Sequence, residues 1–411
     1  MNGERMGSSP KVLFVIHQIG SGADGGIRSI AELIRSVPSL DKLIVTNIES
    51  AVTDSLRKAG PLEIWSMAEV TYSGRRSKLL YRGKQLLARL RNNWSAFKAI
   101  RRLNADIVHA NDLRSFWNTI IGAKFAGAKV ILNVRDTMRS GGNIRQWKLA
   151  LRLCDSFLVL SNEMVEMWRR DLSPVSGHRH HRDKFAFIYS IVDRSRYSPI
   201  DDEARMALRA RLGIEKGRPA LVYVGRFEEK KAQLPFIDRM LSAFAQIRPD
   251  ALTYFIGDFD PARDAYAAAC EQAVQRLGLA EKIRFVGYTA NPEDWYRAAD
   301  IVVLASGREG LPRCMLETLA CGGVFATLDV SSTREILERH HCGVVIPQGG
   351  YVELAQVCAD LLGDPSRMAR FRARGPSVVA ELFDSTVNGK AYLSLLPDIV
   401  GSPAEPAPIV R

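Results

Sequence analysis

The chain has few cysteines, and none is spaced for a disulfide framework or a zinc site. Its six cysteines, at positions 154, 270, 314, 321, 342 and 358, include no CxxC pair. Disulfide-rich secreted domains and zinc sites are recognised by regularly spaced cysteines. We therefore expect buried free thiols in a reducing cytoplasm and no metal site.

Long apolar runs are also missing. No stretch approaches the ~20 apolar residues that a transmembrane helix needs. The first residues, MNGERMGSSPK, contain no apolar segment of the signal-peptide type. The composition, 46% hydrophobic and 25% charged, is that of an ordinary globular protein, and 411 residues are enough for two or three domains.

Short apolar strands and helical segments alternate in two series, which predicts parallel, doubly wound sheets. The first series has strands at 11–19, 42–47, 106–109, 129–134 and 157–160. The second has strands at 220–224, 253–256, 283–286, 300–304, 324–327 and 343–346. We predict one α/β domain at 11–195 and another at 196–384, with a flexible N-terminus at 1–10 and a flexible tail at 397–411.

The most informative segment is SGREGLPRCMLETLACG, residues 306–322, which follows the apolar run ADIVVLA. The β-branched run is typical of a buried parallel strand, and Pro312 suits the first turn of a following helix. Glu309 is therefore expected on the loop at the carboxyl end of the strand, with Glu317 in the first two turns of the helix. Free N–H groups at the helix start favour an anion at this corner.

The Glu-x7-Glu spacing in EGLPRCMLE resembles the signature of retaining, nucleotide-sugar-dependent glycosyltransferases of family 4. This resemblance implies the GT-B fold, in which two Rossmann-like, doubly wound parallel-sheet domains face a central cleft. It implies that Glu309 holds the donor sugar and Glu317 the ribose hydroxyls, with Gly310 and Leu311 beside the donor. It also implies a helix at 385–396 that crosses back onto the first domain.

A second segment, GRFEEKK at 225–231, follows the first strand of the second series. It resembles the family pattern of Gly-Arg with a lysine five positions after the arginine. The resemblance places Gly225, Arg226 and Lys231 at the donor diphosphate, where two fixed cations stabilise the charge that grows on the leaving phosphate. Such cations can replace a divalent metal, so no cofactor is expected besides the nucleotide-sugar co-substrate. Without the resemblance, EEKK is a solvated charged loop.

The first glycine-rich segment leaves several interpretations open. Residues 20–25, GSGADG, form a GxGxxG between a strand and a helix, the pattern with which a dehydrogenase binds a dinucleotide. The family resemblance instead assigns Gly25 and Gly26, followed by Arg28, to a loop near the donor diphosphate. A plain glycine turn that leads into a helix fits the pattern as well.

The resemblance assigns the acceptor to the first domain. The segment DIVHAND, 106–112, resembles the DxVHxH strand end of the family, with Asn111 in place of the second histidine. Strand alternation puts His109 and Asn111 on one face, so both could reach the cleft. His109 is a catalytic candidate, although a strand-end histidine is equally often structural. Asn111 and Asp136, which follows Arg135 where the family commonly shows His-Asp, are acceptor candidates.

Two positions in the second domain are less specific. Tyr288 follows Gly287 at a strand end where the family usually contacts the base, although a tyrosine there can equally pack. Glu335 matches another recurrent acid of the family, but Ser331 and Ser332 replace the usual glycine before it.

The net charge of +12 is concentrated at 74–102, where there are ten lysines and arginines and no acid. Leucines, Trp94 and Phe97 are interleaved with them at partly helical spacing. A basic amphipathic helix of this kind can lie on an anionic membrane surface. A core helix with a solvated basic face fits the pattern equally. No nucleic-acid motif accompanies the charge, so nucleic acid is not expected as a partner.

The sequence thus predicts a metal-independent, retaining glycosyltransferase of the hexosyltransferase type. Its expected substrates are a nucleotide-diphosphate sugar and a glycan or lipid-linked acceptor of bacterial surface polysaccharide synthesis. Its expected location is the cytoplasm, including the inner face of the cytoplasmic membrane. The alternatives are a non-catalytic homologue acting as a scaffold or partner subunit, and an NAD-type oxidoreductase that uses the first glycine-rich loop.

Overall fold

The computed structural model describes residues 9–18, 25–50, 53–67, 78–138, 143–172 and 184–401. The chain forms two compact units. Unit 1 contains the residues up to Ile191 together with those from Ser385 onward, and unit 2 contains Val192–Asp384. The first boundary therefore lies after residue 191, where the sequence predicted 195.

Unit 1 is built on a seven-stranded parallel sheet with the order β3-β2-β1-β4-β5-β6-β7. Its strands are β1 Val12–Ile16, β2 Lys42–Thr46, β3 Leu62–Ile64, β4 Ile107–Ala110, β5 Lys129–Asn133, β6 Ser156–Val159 and β7 Phe185–Phe187. The sequence predicted five of these strands and missed β3 and β7. Both missed strands lie at the edges of the sheet and are three residues long, too short to show an apolar run.

Helices flank the strands of unit 1 along the chain. They are α1 Gly25–Arg35, α2 Thr53–Arg57, α3 Lys78–Leu103, α4 Leu113–Ala126, α5 Ile144–Leu153 and α6 Asn162–Leu172, with α15 Ser385–Val400 at the carboxyl end. Helix α15 passes through Pro397 and ends four residues beyond the predicted crossover segment 385–396. The prediction of a flexible tail from residue 397 is therefore wrong for 397–400, because Ile399 and Val400 pack against the unit 1 core.

Helix α15 is part of the hydrophobic core of unit 1. Tyr392 and Leu396 are buried in the same cluster as Val12 and Phe14 of β1. The helix also approaches the end of α1 closely, since a Cβ on Gly389 would lie 2.6 Å from the Ser36 carbonyl oxygen. Unit 1 is thus completed by the last described part of the chain.

Unit 2 is built on a six-stranded parallel sheet with the order β10-β9-β8-β11-β12-β13. Its strands are β8 Ala220–Val224, β9 Leu252–Ile256, β10 Ile283–Gly287, β11 Ile301–Leu304, β12 Phe325–Leu328 and β13 Val344–Ile346. All six agree with the predicted strands to within one residue at each end. Their central members read as unbroken apolar runs because helices cover both faces of a parallel sheet.

Unit 2 contains eight α-helical segments in its described residues. They are α7 Asp202–Arg211, α8 Gln233–Pro235, α9 Ser242–Ile247, α10 Ala265–Arg276, α11 Pro292–Ala298, α12 Arg313–Ala320, α13 Tyr351–Leu362 and α14 Pro365–Leu382. A 3₁₀ turn at Glu229–Lys231 and π-helical turns at Phe236–Leu241 and Arg334–Glu338 complete the unit.

In each sheet the strand order reverses beside the first strand of the unit, between β1 and β4 and between β8 and β11. In open α/β sheets, ligands bind outside the carboxyl ends of the strands at such a reversal. The fold therefore points to the loops that follow β8 and β11 in unit 2, and those that follow β1 and β4 in unit 1. No helix within the described ranges is long and apolar enough to cross a bilayer.

Candidate functional site

The candidate site of unit 2 centres on a buried ion pair between the loops that follow β8 and β11. Lys231, at the end of the 3₁₀ turn, donates from Nζ to Glu309 Oε1 over 2.6 Å. Lys230 Nζ lies 4.0 Å from the other carboxylate oxygen of Glu309. The two sequence segments EGLPRCMLE and GRFEEKK thus meet at the strand-order reversal of the sheet.

The ion pair is charged at neutral pH. Burial by itself raises the pKa of a carboxyl group, but the charge of Lys231, followed by that of Lys230, outweighs burial and holds the pKa of Glu309 below its usual value. Burial likewise opposes the charge of Lys231, yet the carboxylate of Glu309 raises the pKa of this lysine above its usual value. Only 9% of the Glu309 side chain is exposed, so the pair is poorly screened by water.

Backbone contacts hold these two loops together. The hydroxyl of Tyr223, on β8, donates to the carbonyl of Lys231 and accepts from the Ala305 amide at 3.2 Å. The Gly307 amide donates to the carbonyl of Lys230 over 3.0 Å. Burial raises the pKa of Tyr223 well above its usual value, so the hydroxyl keeps its proton. The lysine turn and the Glu309 loop are therefore positioned as one structure.

Glycine at two strand ends allows the loops to approach one another. The Gly225 amide donates to the Ile256 carbonyl, which brings the ends of β8 and β9 together. A Cβ on Gly257 would lie 2.0 Å from the Gly225 carbonyl oxygen, closer than any side chain permits. The backbone that carries Arg226 and Lys231 therefore depends on glycine at position 257.

Glu317 lies in the second turn of α12, as predicted, and its carboxylate is held from two sides. Tyr296 donates from its hydroxyl to Oε2 over 3.0 Å, and Arg313 donates from Nε to Oε1 over 3.2 Å. Glu317 is 5% exposed. Such a fixed carboxylate can accept hydrogen bonds from a pair of hydroxyls with little reorganisation.

The Glu309 loop is also tied to the segment that precedes the π-helical turn at Arg334–Glu338. Ser332 donates from its hydroxyl to the carbonyl of Gly310 over 3.0 Å. Ser332 has a φ of +71°, in the left-handed region that glycine adopts most easily. Gly310 and Leu311 are buried next to this contact. The hydroxyl bond helps to hold a serine where the backbone favours glycine.

Two predicted residues of unit 2 do not contact the ion pair. Arg226 follows Gly225, but its side chain is 69% exposed and lies 3.9 Å from Glu228. Tyr288 follows β10 and is 63% exposed. The loop after β8 thus carries one cation in a buried ion pair, Lys231, and one exposed cation, Arg226. Glu335 lies within the π-helical turn at Arg334–Glu338.

In unit 1 the structure gives His109 a packing contact. The ring is fully buried against Phe14, and its Nδ1 lies 2.8 Å from the Tyr392 hydroxyl of α15. Burial, with the charge of Arg135, lowers the pKa of His109 to about 3. Helix α15 thus covers the ring of His109 within unit 1, a contact that fits the structural alternative for this residue.

The acceptor candidates lie at the ends of β4 and β5. Asn111 is buried and its Oδ1 accepts from Arg135 Nε over 2.9 Å. Asp136 follows Arg135 and accepts from the Thr137 amide over 2.9 Å. Arg135, which stands where the family commonly has histidine, therefore contacts Asn111 and directly precedes Asp136.

The glycine-rich segment of unit 1 lies mostly outside the described residues. Only Gly25 and Gly26 are described, and they form the first turn of α1 rather than a loop. Their prediction as a flexible loop is corrected to the start of a helix.

The arrangement in unit 2 suits an anionic, hydroxyl-bearing ligand. Lys231 and Arg226 supply positive charge, while Glu309 and Glu317 accept hydrogen bonds from hydroxyls. No group of three or more His, Cys, Asp or Glu side chains within the described ranges could hold a metal ion. Sequence reasoning missed Tyr223, Tyr296 and Arg313; an arginine four residues before Glu317 in a helix was a usable signal for the last of these.

Two protein families match the chain. Residues 204–378 match the family described as Glycosyl transferases group 1. Residues 53–196 match the family described as Glycosyltransferase Family 4. The two matches fall on unit 2 and unit 1 respectively, apart from a few residues at the boundary.

Curated relatives match over part of their length. The chain is 29% identical over 188 residues to the lipopolysaccharide core biosynthesis mannosyltransferase LpsB of Rhizobium meliloti (strain 1021), covering 45% of this chain and 52% of that protein. It is 30% identical over 178 residues to a D-inositol 3-phosphate glycosyltransferase of Thermobispora bispora, covering 41% of each. The chain thus spans about half or less of the length of these relatives.

Solved structures match over nearly the whole chain. The structure of Anabaena Alr3699/HepE in complex with UDP and glucose has a TM-score of 0.76 at 18% identity, covering 94% of this chain and 98% of that one. The apo form of the lipopolysaccharide outer core galactosyltransferase WaaB has a TM-score of 0.65 at 15% identity, covering 94% and 99%. At such identities the likeness shows the fold.

Proposed function

Since the chain belongs to glycosyltransferase family 4 and has the GT-B fold, we propose that it is a retaining, metal-independent hexosyltransferase. It moves a sugar from a nucleoside-diphosphate sugar to a hydroxyl of an acceptor. The observation that carries the proposal is the buried Lys231–Glu309 pair at the strand-order reversal of unit 2. Glu317 lies eight residues further along the chain, on the helix that begins there.

The donor diphosphate binds at the two cations of the β8 loop in this proposal. Negative charge grows on the leaving phosphate as the glycosidic bond breaks, and fixed cations stabilise that charge more than they stabilise the ground state. Lys231 is already fixed by Glu309, whereas the exposed Arg226 is free to move onto the phosphates. These cations supply the charge that a divalent metal would otherwise supply.

The two glutamates bind the hydroxyls of the donor. Glu309 keeps one oxygen on Lys231, so the sugar is positioned by a carboxylate that remains charged. Glu317 accepts hydrogen bonds from the ribose, and Tyr296 and Arg313 fix its orientation. Neither glutamate acts as a covalent nucleophile. Gly310, Leu311 and Gly225 line the donor as backbone contacts, and Tyr288 lies beside the base.

The acceptor is a glycan or a lipid-linked glycan of bacterial surface polysaccharide synthesis, and the protein acts in the cytoplasm. The names of LpsB and WaaB, both lipopolysaccharide enzymes, support this part of the proposal. Asn111 and Asp136 are the candidate acceptor contacts in unit 1. His109 is not used, because its ring is buried under α15.

Donor binding is tested first by thermal stabilisation with UDP, GDP and their sugar conjugates, with and without chelator. A ligand that binds only the folded state raises its stability in proportion to the logarithm of its concentration. We expect a chelator-insensitive shift with one nucleoside diphosphate. Stabilisation by a nicotinamide dinucleotide alone would overturn the proposal in favour of the oxidoreductase.

The catalytic role of Arg226 is tested by Arg226→Ala. Because the side chain is 69% exposed, the variant should fold normally, and removing one charge-stabilising group should lower kcat about 100-fold. The matched control is Arg211→Ala, a 67% exposed arginine paired with Asp294 in the same unit. Full activity of both Arg226→Ala and Glu317→Ala would count decisively against the site. Nucleotide binding without any turnover would instead indicate a scaffold.

A further inference from the structure

Helix α3 leaves most of its leucines exposed, although Ala96, Ala99 and Ile100 are buried. Its buried face carries two asparagines, Asn92 and Asn93, which are 5% and 3% exposed. Asn93 donates from Nδ2 to the Trp117 carbonyl and accepts at Oδ1 from the Ile121 and Gly122 amides of α4. Asn93 therefore helps to fix this helix on α4, while the exposed face carries Leu80, Leu86, Leu87, Leu90 and Trp94.

The close packing of α3 on α4 fixes which face of α3 is buried. A Cβ on Gly122 would lie 2.2 Å from the Asn93 carbonyl oxygen, so only glycine permits the contact. Rotating α3 to bury its leucines would break the Asn93 hydrogen bonds and open this contact. The exposed face is therefore a property of the packing.

That exposed face carries a stripe that alternates apolar and cationic residues. Leu80, Leu87 and Trp94 recur every seven residues and are 62%, 68% and 61% exposed. Lys84, Arg91 and Lys98 fill the intervening turns and are also exposed. Positions three and four apart lie on one helix face, so these six residues form one line about 27 Å long.

Further exposed apolar side chains lie on α3 itself and on α4, the helix that it packs against. Leu86 and Leu90 on α3 are 60% and 47% exposed. On α4, Phe125 is 81% and Ile121 45% exposed. Isolated apolar residues on a surface are ordinary, but exposed apolar residues that recur along one helix face are typical of an interaction surface.

The charges of the stripe identify its partner. Helix α3 contains eight basic residues and no acid. Lys84, Arg91 and Lys98 form no ion pair within the described ranges; Arg102, outside the stripe, pairs with Glu63. A second copy of the chain would bring like charges together, and a nucleic acid would leave the leucines without apolar contacts.

We propose that the α3 stripe is a docking surface for an anionic lipid bilayer. Leu80, Leu87 and Trp94 enter the interface between headgroups and acyl chains with the helix axis parallel to the membrane. The aliphatic parts of the cationic side chains lie along the apolar surface, and their charged ends reach the anionic headgroups; these side chains are Lys84, Arg91 and Lys98. Membrane docking does not depend on the sugar-transfer chemistry, and it would bring the enzyme to a lipid-linked acceptor.

Vesicle binding tests the proposal with the full chain. Co-sedimentation is measured with vesicles of phosphatidylglycerol and phosphatidylcholine, and with phosphatidylcholine alone. Trp94 serves as a reporter, since its emission should shift to the blue when the stripe enters the interface. We expect binding only to the anionic vesicles, weakening as salt is added.

Three variants, two of them with matched controls, separate charge from apolar contact. The cation variant is Lys84→Gln, Arg91→Gln and Lys98→Gln, which should weaken binding about 100-fold. Its control removes three exposed cations elsewhere, Lys216→Gln, Arg370→Gln and Lys390→Gln.

The apolar variant is Leu80→Gln, Leu87→Gln and Leu90→Gln, which keeps every charge and should abolish the blue shift. Its control replaces exposed Met206, Val352 and Val387 with glutamine. Replacing Trp94 alone with glutamine, as the third variant, should remove the fluorescence change while leaving most of the sedimentation.

Equal binding by the cation variant and its control would overturn the proposal. So would vesicle-independent dimerisation that the apolar variant abolishes, because the partner would then be a second copy. Donor stabilisation by a nucleoside diphosphate should persist in every α3 variant. A variant that loses vesicle binding but keeps donor binding therefore supports docking through α3. Absence of donor binding in the wild type would contradict the proposed function and leave the docking proposal untouched.

Discussion

Replacing Lys231 with methionine should destabilise unit 2 through the carboxylate that the lysine neutralises. Glu309 is 7% exposed and its nearest cation, Lys231 Nζ, lies at 2.6 Å. Removing one member of a buried ion pair leaves an uncompensated charge and costs about 3–5 kcal/mol. For a domain of this size a loss of about 3 kcal/mol lowers the melting temperature by about 6–12 °C.

The pH dependence identifies the cause. In the wild type the pKa of Glu309 is lowered below 4.5, so the pair stabilises the fold above that pH and its contribution is lost as the pH falls through the folded pKa. In Lys231→Met, burial without the cation should raise this pKa above its unfolded value. The stability deficit should then be small near pH 4.5 and grow as the pH rises towards 7.

Differential scanning calorimetry between pH 4.5 and 8 measures both the deficit and its slope. Lys230→Met is the matched control: its Nζ lies 4.0 Å from Glu309 and its side chain is 30% exposed, so it should cost less than about 1 kcal/mol. Adding Glu309→Gln to Lys231→Met should restore much of the loss. A deficit of the same size at pH 4.5 and pH 7, or none at all, would refute the buried-pair argument.

Four further predictions concern contacts within the two units. Tyr392→Phe removes the hydroxyl beside His109 Nδ1 and should cost about 1–3 kcal/mol in thermal unfolding, whereas Tyr288→Phe, on a 63% exposed residue, should cost almost nothing. Because burial lowers the pKa of His109 to about 3, the unfolded chain binds a proton at this residue more strongly than the folded chain does. The free energy of unfolding should therefore fall by about 1.4 kcal/mol for each pH unit below 6.5. Denaturant titrations at several pH values should show a smaller slope for His109→Gln. Gly257→Ala places a Cβ 2.0 Å from the Gly225 carbonyl oxygen and should abolish nucleotide stabilisation, while Gly83→Ala, with open space around it, should stabilise α3 by about 0.5–1 kcal/mol. Ser332→Ala keeps the φ of +71° without the hydroxyl bond to Gly310, so it should be less stable than Ser332→Gly, which relieves the backbone; the reverse order would contradict the strain argument.

The second unit could be predicted from sequence in more detail than the first. Its central strands are apolar runs, and the loops that carry Lys231 and Glu309 follow two of them. Because parallel strands end at the same edge of a sheet, residues far apart in the chain were expected together, and the 2.6 Å contact brings them together. The strand pattern predicted the elements, and the family resemblance was needed to single out these two residues.

The corrections in unit 1 come from contacts between distant parts of the chain. The burial of His109 depends on Tyr392, 283 residues later, and no local pattern reports such a partner. The orientation of α3 depends on Asn93 bonding to the backbone of α4, which overrides the usual preference for burying leucine. The three-residue strands β3 and β7 are defined by the neighbours they pair with rather than by their own composition.

The return of α15 to unit 1 has a consequence for how the protein is made. Unit 2 is one continuous segment, and the chain enters and leaves it side by side, since the Val192 amide donates to the Phe383 carbonyl over 3.1 Å. On the ribosome, unit 2 can therefore fold while the first unit still waits for Tyr392 and Leu396 to emerge. A stop codon just after Asp384 would leave unit 2 complete but remove Tyr392 and Leu396 from the core of unit 1. A truncation near the carboxyl terminus should therefore destabilise the amino-terminal unit.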